Sequence, residues 1–385
     1  AMSPVRVTTS LAVMNGSSLV IDAGVRVIFD GCHSITVQDG SLNLSGTKNA
    51  PVDFDGGHHG CSTAGIRMHN DFRGVLRALH ASFHGFYSSI EMGCCNSIVY
   101  VNNSVFEDNT GAAISSYTSH ARFGSCVLRK NHVGLDTAYA HLVDCTVEGN
   151  RQAGVKNNYG TVERSEVIYN EGVGISGTSV TVRDCLIAGN DVGIHSGGLV
   201  LSSYVTDNRI GLQTFHCCSS SAQFHLQDSN ICGNKEYNFQ TTRTGQSTAT
   251  NVWWGSADEA VVLPTIADAR TVAGVGFLVL KRMSATPVSG VQVDGRCTIW
   301  FVTMTSSLPM SKEAFGAAQQ KSYREAVARA SMVTVHLVFI TSITEAAAAG
   351  LVSSSPIPSL YINTSASPSP NSSPSPSPSP SPSPS

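Results

Sequence analysis

The chain has few charged residues and no strong excess of either sign. Asp, Glu, Lys and Arg make up 13 % of its 385 residues, and the formal net charge is −3. Binding to a nucleic acid backbone requires clustered positive charge, so the composition gives no reason to expect a nucleic acid partner. The low charge, with 35 Gly, is typical of stacked strands whose outer faces carry small polar residues.

Long apolar runs are also absent. The longest candidate, residues 272–280, is about half the roughly 20 residues of a membrane-spanning helix, so no membrane span is expected. The first residues lack both the basic start and the apolar core of a signal peptide. Because the chain opens in the middle of a structural repeat, we expect the N-terminus to be truncated relative to a longer gene product.

The chain does contain one short sequence motif that is repeated about every 20 residues. Each copy ends in Asn, with Cys or Ser five positions before it and usually a Gly and an apolar residue shortly after it. The shared asparagines are Asn109, Asn131, Asn150, Asn170, Asn190, Asn208 and Asn234. Such a fixed period indicates a solenoid.

The pattern inside each copy predicts strands rather than helices. Apolar residues alternate with polar ones and are rich in Val and Ile, as in short strands with one face inward. A leucine-rich repeat would need regularly spaced Leu and a helical half, and the repeats have neither. Stacked coils of short parallel strands fit best.

We assign the Asn column to the corners of these coils. Asn tolerates the left-handed backbone conformation, its amide can bond the Asn of the coils above and below, and the Gly lets the next turn close. A row of glycan-binding or metal-binding side chains is the alternative. The regular spacing favours an internal structural ladder.

The repeats, together with residues 19–29, 35–42 and 251–255, resemble the right-handed parallel β-helix proteins of the pectin-lyase-like group. Within that group the chain is most similar to surface proteins and to the carbohydrate-binding and sugar-hydrolase branch. The resemblance implies an all-β, right-handed parallel β-helix, which we predict over residues 1–282. It says little about activity, since this fold hosts lyases, hydrolases, epimerases, adhesins and inert shafts.

The composition changes after about Met283. A strand pattern, a helical pattern and a second strand predict a small α+β module over residues 286–362, either a cap or spacer for the last coil or a separate binding domain. Residues 363–385 are rich in Ser and Pro, which predicts a disordered, extended stalk. This tail resembles hydroxyproline-rich glycoproteins of plant and algal cell walls; an unmodified linker is the alternative.

Cysteine and histidine give no sign of a metal or cofactor. Cys126, Cys145 and Cys185 share one repeat position and are expected to be buried free thiols. His58 and His216 have His or Cys neighbours, but not at the spacing of a zinc site. The candidates for loop disulfides are the adjacent residues Cys94, Cys95, Cys217 and Cys218.

No catalytic motif of the polygalacturonases, alginate epimerases or pectate lyases is present. The remaining acidic candidates are Asp144 and Asp184, which lie two coils apart with Arg164 between them. A cation there keeps both acids ionised, whereas a general acid needs a raised pKa. An alternating charge ladder is therefore the favoured interpretation.

Tyr117, Tyr139 and Tyr159 follow the Gly of successive coils by five or six residues. Facing solvent, they would form an aromatic strip able to stack on sugar rings; facing inward, they would fill the core. Packing in the core or at a corner is favoured, and the binding strip is kept as the alternative.

These observations predict an extracellular or cell-wall-associated, non-enzymatic protein that acts as a rigid scaffold or weak polysaccharide binder. Its expected partner is a polysaccharide or the cell-wall matrix, with no cofactor and with the oligomeric state open. The alternative is a polysaccharide lyase, glycoside hydrolase or uronan epimerase whose catalytic residues have diverged.

Overall fold

The computed structural model describes residues 4–288 and Tyr323, with gaps at residues 58–60, 62–63, 70–72, 94–96, 117–119, 215–222, 243 and 274. This part of the chain is a parallel β-solenoid, which confirms the predicted fold class. The predicted module and the Ser-Pro stalk lie almost entirely outside the described residues.

One side of the solenoid is a parallel sheet of eleven strands, called sheet 1 here. Its strands are β1 (Val5–Val7), β4 (Arg26–Phe29), β7 (Val52–Asp55), β10 (Ala81–His84), β13 (Val105–Glu107), β16 (Val127–Arg129), β19 (Thr146–Glu148), β22 (Glu166–Ile168), β24 (Leu186–Ala188), β26 (Tyr204–Thr206) and β29 (Asn230–Ile231).

A second sheet of 22 strands forms the other two sides, called face 2 and face 3. Face 2 contains β2 (Leu11–Val13), β5 (Ile35–Val37), β8 (Ala64–Met68), β11 (Ser88–Met92), β14 (Ala112–Ser116), β17 (Val133–Thr137), β20 (Ala153–Asn157), β27 (Ile210–Thr214), β30 (Tyr237–Gln240) and β32 (Ile266–Ala267). Face 3 contains β3 (Ser18–Asp22), β6 (Ser41–Ser45), β9 (Val75–Leu79), β12 (Ile98–Asn102), β15 (His120–Gly124), β18 (Tyr139–Val143), β21 (Thr161–Glu163), β28 (Phe224–Gln227), β31 (Gln246–Val252) and β33 (Phe277–Met283). Strands β23 (Val173–Arg183) and β25 (Val192–Leu201) run through both faces.

Within the described residues up to 288, helical structure is limited to one short connection near the last coils. It consists of α1 (Glu259–Val262) and a turn of 3-10 helix at Leu263–Thr265. Within the described ranges, no helix is long and apolar enough to cross a membrane.

The core is a continuous column inside the coils because every strand turns alternate side chains inward. At the early coils this column contains stacked phenylalanines, with ring centroids 5.1 Å apart for Phe54 and Phe83 and 4.7 Å apart for Phe83 and Phe106. In the later coils of sheet 1, Leu128 and Val147 take the inward positions and are fully buried. Aromatic packing therefore gives way to aliphatic packing along the axis.

The repeated asparagines form one hydrogen-bonded ladder. The amide oxygen of Asn150 accepts from the backbone N–H of Asn131 at 3.0 Å and from its Nδ2 at 3.1 Å, and the Asn150 Nδ2 donates to the next Asn oxygen, that of Asn170, at 2.9 Å. The same pattern joins the other members, and all of those from Asn109 to Asn208 are buried.

The left-handed conformation belongs to the residue before the ladder Asn and not to the Asn, which corrects the corner assignment made above. That preceding residue has a φ of 55° at Lys130 and 61° at Gly149. The repeated Gly has a different role: a Cβ on Gly154 would lie 2.8 Å from the Gly174 carbonyl oxygen and 2.9 Å from Asn170 Nδ2. Gly is therefore needed where the ladder passes beneath the backbone.

The Cys and Ser column forms a second ladder. The Cys145 backbone N–H donates to Ser165 Oγ at 3.0 Å, and that hydroxyl donates to the Glu163 carbonyl at 2.8 Å. Cys126, Cys145 and Cys185 are buried free thiols, and burial raises the pKa of Cys185 to about 12. A disulfide absent from the sequence prediction joins Cys32 to Cys61, with Cα atoms 5.3 Å apart.

Candidate functional site

Tyr139 and Tyr159 lie on the outer surface of face 3. Their ring centroids are 5.2 Å apart and the ring planes are 21° from parallel. Tyr159 is 56 % exposed and Tyr139 is half-buried. The two rings stack because they stand at the same register on neighbouring coils, and they present an aromatic edge to solvent.

Tyr117 lies outside the described residues. In the preceding coil, the residue that pairs with Tyr139 is His120. Counting from the repeated Gly predicted Tyr117 at this position of the column, whereas the strand register places His120 there. The reason is the connection between face 2 and face 3, which takes three residues between β14 and β15 but one between β17 and β18.

A basic column runs beside the tyrosines on face 3. Tyr100 pairs in register with Arg77 on one side and with Arg122 on the other, and Arg122 pairs with His141. All of these side chains are exposed. We call the face 3 strip the set Arg77, Tyr100, Arg122, Tyr139, His141 and Tyr159.

The two arginines of the face 3 strip have no counterion within the described ranges. Several other arginines on the solenoid surface do pair with acids, among them Arg129 with Glu107 at 2.6 Å and Arg209 with Asp191 at 2.6 Å. Arg77 and Arg122 therefore present two uncompensated guanidinium groups on alternate coils. Since neighbouring coils are about 4.8 Å apart, these two arginine positions are roughly 10 Å apart along the axis.

A second polar cluster lies on the outer surface of sheet 1 at the early coils. The His84 imidazole Nε2 is 3.1 Å from Asp53 Oδ1, and its Nδ1 is 3.8 Å from Asp55 Oδ1. Arg26 lies 3.3 Å from Asp53 and 2.9 Å from Asp55. The cluster thus contains two carboxylates, one imidazole and one guanidinium, all partly exposed.

The charges in this cluster stabilise one another. The hydrogen bond to Asp53 is the main cause that raises the pKa of His84, against the opposing effect of burial. Burial alone would raise the pKa of Asp55, but hydrogen bonds from the Gly57 backbone and from Arg26 outweigh it and hold that pKa below its usual range. The network therefore favours the protonated form of His84 and the ionised form of Asp55.

This network predicts a pH-dependent contribution to stability. A raised folded-state pKa means that the contribution of His84 is complete below about pH 6.5 and is lost as the pH rises through the folded pKa. We expect the difference in the free energy of unfolding between the wild type and His84→Gln to be largest near pH 5.5, on the order of 1 kcal/mol, and to shrink at pH 8.5. A difference that grows with pH would contradict the assignment.

The acidic candidates Asp144 and Asp184 lie with Arg164 at the corner before the Cys and Ser ladder. Asp144, Arg164 and Asp184 have φ values of 56°, 46° and 52°, so all three hold the left-handed corner. Arg164 Nε donates to Asp144 Oδ1 at 3.0 Å, and this hydrogen bond raises the pKa of the guanidinium. Asp144 is the acceptor of an exposed ion pair with Arg164.

Metal binding receives no support from the described part of the chain. It contains no group of three or more His, Cys, Asp or Glu arranged to hold a metal ion. His58 and His216, like Cys94, Cys95, Cys217 and Cys218, lie outside the described residues.

The sequence prediction did not include Arg77, Tyr100 and Arg122 because they lie outside the repeated sequence motif. A signal was available: each occupies a polar or exposed position within an alternating strand of face 3. Aligning these strands with one another would have placed the three residues in one column.

No protein-family model and no curated protein matches the chain. Among solved structures, the chain is similar to the crystal structure of the periplasmic alginate epimerase AlgG, with 11 % sequence identity and a TM-score of 0.37. The similarity covers 70 % of this chain and 73 % of that chain. At this level it carries no information on activity.

Proposed function

We propose that the protein is a non-enzymatic scaffold that binds an acidic polysaccharide along face 3. The observation that carries the proposal is the face 3 strip, in which two arginines without an ion pair among the described residues flank Tyr100 and the stacked tyrosines lie in the neighbouring column. Guanidinium groups bind carboxylates and sulfates in a planar, often bidentate geometry. Aromatic faces pack against sugar rings.

The geometry suits an extended chain lying parallel to the solenoid axis. The strip crosses five coils, about 19 Å at 4.8 Å per coil. An extended pyranose chain advances by about one coil spacing per sugar, so acidic groups on alternate sugars would meet Arg77 and Arg122. A neutral glucan would leave both cations unpaired and is expected to bind more weakly.

The binding is expected to be weak at a single strip. Each exposed aromatic contributes about 0.5 to 1.5 kcal/mol beyond its buried area, and exposed charge pairs contribute little more. Affinities nearer millimolar than nanomolar follow. Many copies acting on one polymer would bind it through avidity.

An extracellular or cell-wall location is part of the proposal. It is supported by the Cys32–Cys61 disulfide, since disulfides persist in oxidising compartments. The resemblance of the Ser-Pro tail to wall glycoproteins supports it as well.

Replacing Tyr139 and Tyr159 together by Ala is expected to abolish retention on an immobilised polyuronide while leaving the circular dichroism spectrum unchanged. Both rings are on the surface, so their loss removes the stacking contact without opening the core. Affinity electrophoresis measures the retention. Tyr87→Ala, which removes another half-exposed tyrosine away from the strip, is the matched control and should bind normally.

Substitution of the two strip arginines tests the preference for an acidic over a neutral polysaccharide in the same experiment. Arg77→Gln combined with Arg122→Gln should weaken polyuronide binding about tenfold, equivalent to 1.4 kcal/mol, and leave any binding to a neutral glucan unaltered. Arg151→Gln combined with Lys130→Gln, which replaces two exposed cations outside the strip, removes the same total charge as a control. Equal loss in the control and the strip variants would refute a site on face 3.

The second candidate function is a lyase, hydrolase or epimerase acting on uronides. It is favoured by the sheet 1 cluster, in which Asp53 and His84 lie 3.1 Å apart beside Arg26. A turnover screen on pectin and alginate, with and without calcium, separates the two functions. Sustained turnover that is lost in His84→Gln would establish the enzyme and overturn the scaffold.

A further inference from the structure

The outer surface of sheet 1 changes character between β19 and β22. In β13, β16 and β19 only the central, inward residue is buried, and its two neighbours are partly exposed. In β22, β24, β26 and β29 every residue is buried. Because alternate side chains in a strand point to opposite faces, the outward residues of these last four strands must be covered.

Four of the covered outward residues form an apolar patch, and the other three, Glu166, Thr206 and Asn230, are buried polar residues beside it. Ile168, Leu186, Ala188 and Tyr204 make one cluster, separate from the interior core, and each is between 1 % and 5 % exposed. Leu186 stands in the same column as Val127 and Thr146 of the earlier coils, which are partly exposed. The lower exposure of Leu186 than of Val127 and Thr146 requires a covering segment over the patch.

The end of the described chain shows what approaches the patch. After β33, the Ser284 N–H donates to the Val252 carbonyl at 3.0 Å. The Val288 N–H then donates to Asn230 Oδ1 at 2.8 Å, and the Tyr204 hydroxyl donates to the Val288 carbonyl at 3.3 Å. The chain therefore leaves the last coil on face 3 and crosses onto the outer surface of sheet 1.

We infer that residues 289–362 dock on the outer surface of sheet 1 over β22, β24, β26 and β29. Val288 is bound to Asn230 in β29 and to Tyr204 in β26, and the buried patch continues in the same direction to β24 and β22. The distance from β29 to β22 is three coils, about 14 Å. A segment that starts at Val288 lies directly beside the patch.

The sequence of this segment supplies the required chemistry. Residues 297–303 and 333–343 are apolar stretches able to cover Leu186 and Tyr204, whereas the Ser-Pro run of residues 363–385 offers no large aliphatic or aromatic side chain. The module is thus bound to the side of the solenoid, in place of the end-cap role considered from the sequence. Face 3 and the early coils of sheet 1 stay open to partners.

Limited proteolysis of the full chain tests this docking. In Leu186→Asp, a charge replaces the side chain at the centre of the patch, and cleavage within residues 289–362 should accelerate about tenfold or more because the segment is released. Val127→Asp is the matched control, since it places the same charge at the same column position on an uncovered coil. Cleavage in the control should match the wild type, and the solenoid melting transition should persist in both.

Tyr204→Phe provides a second variant that leaves the sheet intact and removes only the hydroxyl bonded to Val288. It should give a smaller acceleration of cleavage in the same segment. This result is informative even if the Leu186→Asp variant does not fold. The inference is overturned if cleavage is unchanged in both single variants, Tyr204→Phe and Leu186→Asp. It is also overturned if Leu186→Asp does not fold and cleavage is unchanged in Tyr204→Phe. A dimer in the wild type that Leu186→Asp converts to monomer without faster cleavage overturns it as well, because a second copy would then be the cover.

Discussion

Replacing Asn150 by Ala is expected to lower the free energy of unfolding by about 3 kcal/mol. The substitution removes the acceptor of the Asn131 backbone N–H and Nδ2, and the donor to the Leu128 carbonyl and to Asn170 Oδ1. All of these groups are buried where water cannot replace the lost partner. Each unpaired buried donor or acceptor costs roughly 1 to 3 kcal/mol, partly relieved by local adjustment.

Denaturant unfolding of Asn150→Ala beside Asn158→Ala measures this effect. Asn158 is exposed and lies outside the ladder, so its substitution should change the free energy by less than about 0.5 kcal/mol. Equal stability of the two variants would mean that the ladder contributes no net stability.

The fold could be predicted because the inward columns repeat in the sequence. Asn150, Cys145 and Val147 recur at fixed distances, since each must match the coil above and below it. Each of these inward side chains contacts the equivalent residue in the coils above and below. The same residue type therefore returns once per coil along the sequence, and the repeat can be recognised without a structure.

The face 3 strip could not be predicted from the same pattern. Arg77, Tyr100 and Arg122 face solvent, and nothing in the packing requires one outward residue to resemble the next. Their alignment depends on strand register, which in turn depends on connections of different lengths between the faces. Counting from Gly therefore selected Tyr117 where the register requires His120.

The buried outer surface of sheet 1 was hidden for a related reason. Ile168, Leu186 and Tyr204 are apolar at positions that alternate with inward residues. An outward apolar residue in a solenoid can equally well be an isolated surface side chain. Only the hydrogen bonds of Val288 identify the direction from which this surface is covered.

The end of the solenoid depends on one buried carboxylate. Asp268 is fully buried, and its oxygens accept from Arg270 Nε at 2.9 Å, from Arg270 NH2 at 2.6 Å and from the Leu278 N–H at 3.0 Å. Burial alone would raise the pKa of Asp268, but these hydrogen bonds outweigh it and hold the pKa below its usual range. Its stabilising contribution is therefore present above about pH 4 and is lost as the pH falls through the folded pKa.

Asp268→Ala is expected to destabilise the last coils by about 3 to 4 kcal/mol, because it leaves the Arg270 charge and the Leu278 N–H without their buried partner. Hydrogen exchange at Leu278, in the terminal strand β33, should accelerate accordingly. Asp191→Ala is the matched control: Asp191 makes an equally short pair with Arg209, but both side chains are more than 40 % exposed, so the expected loss is below about 1 kcal/mol. Similar losses in the two variants would show that burial of Asp268 adds nothing to the stability of the solenoid end.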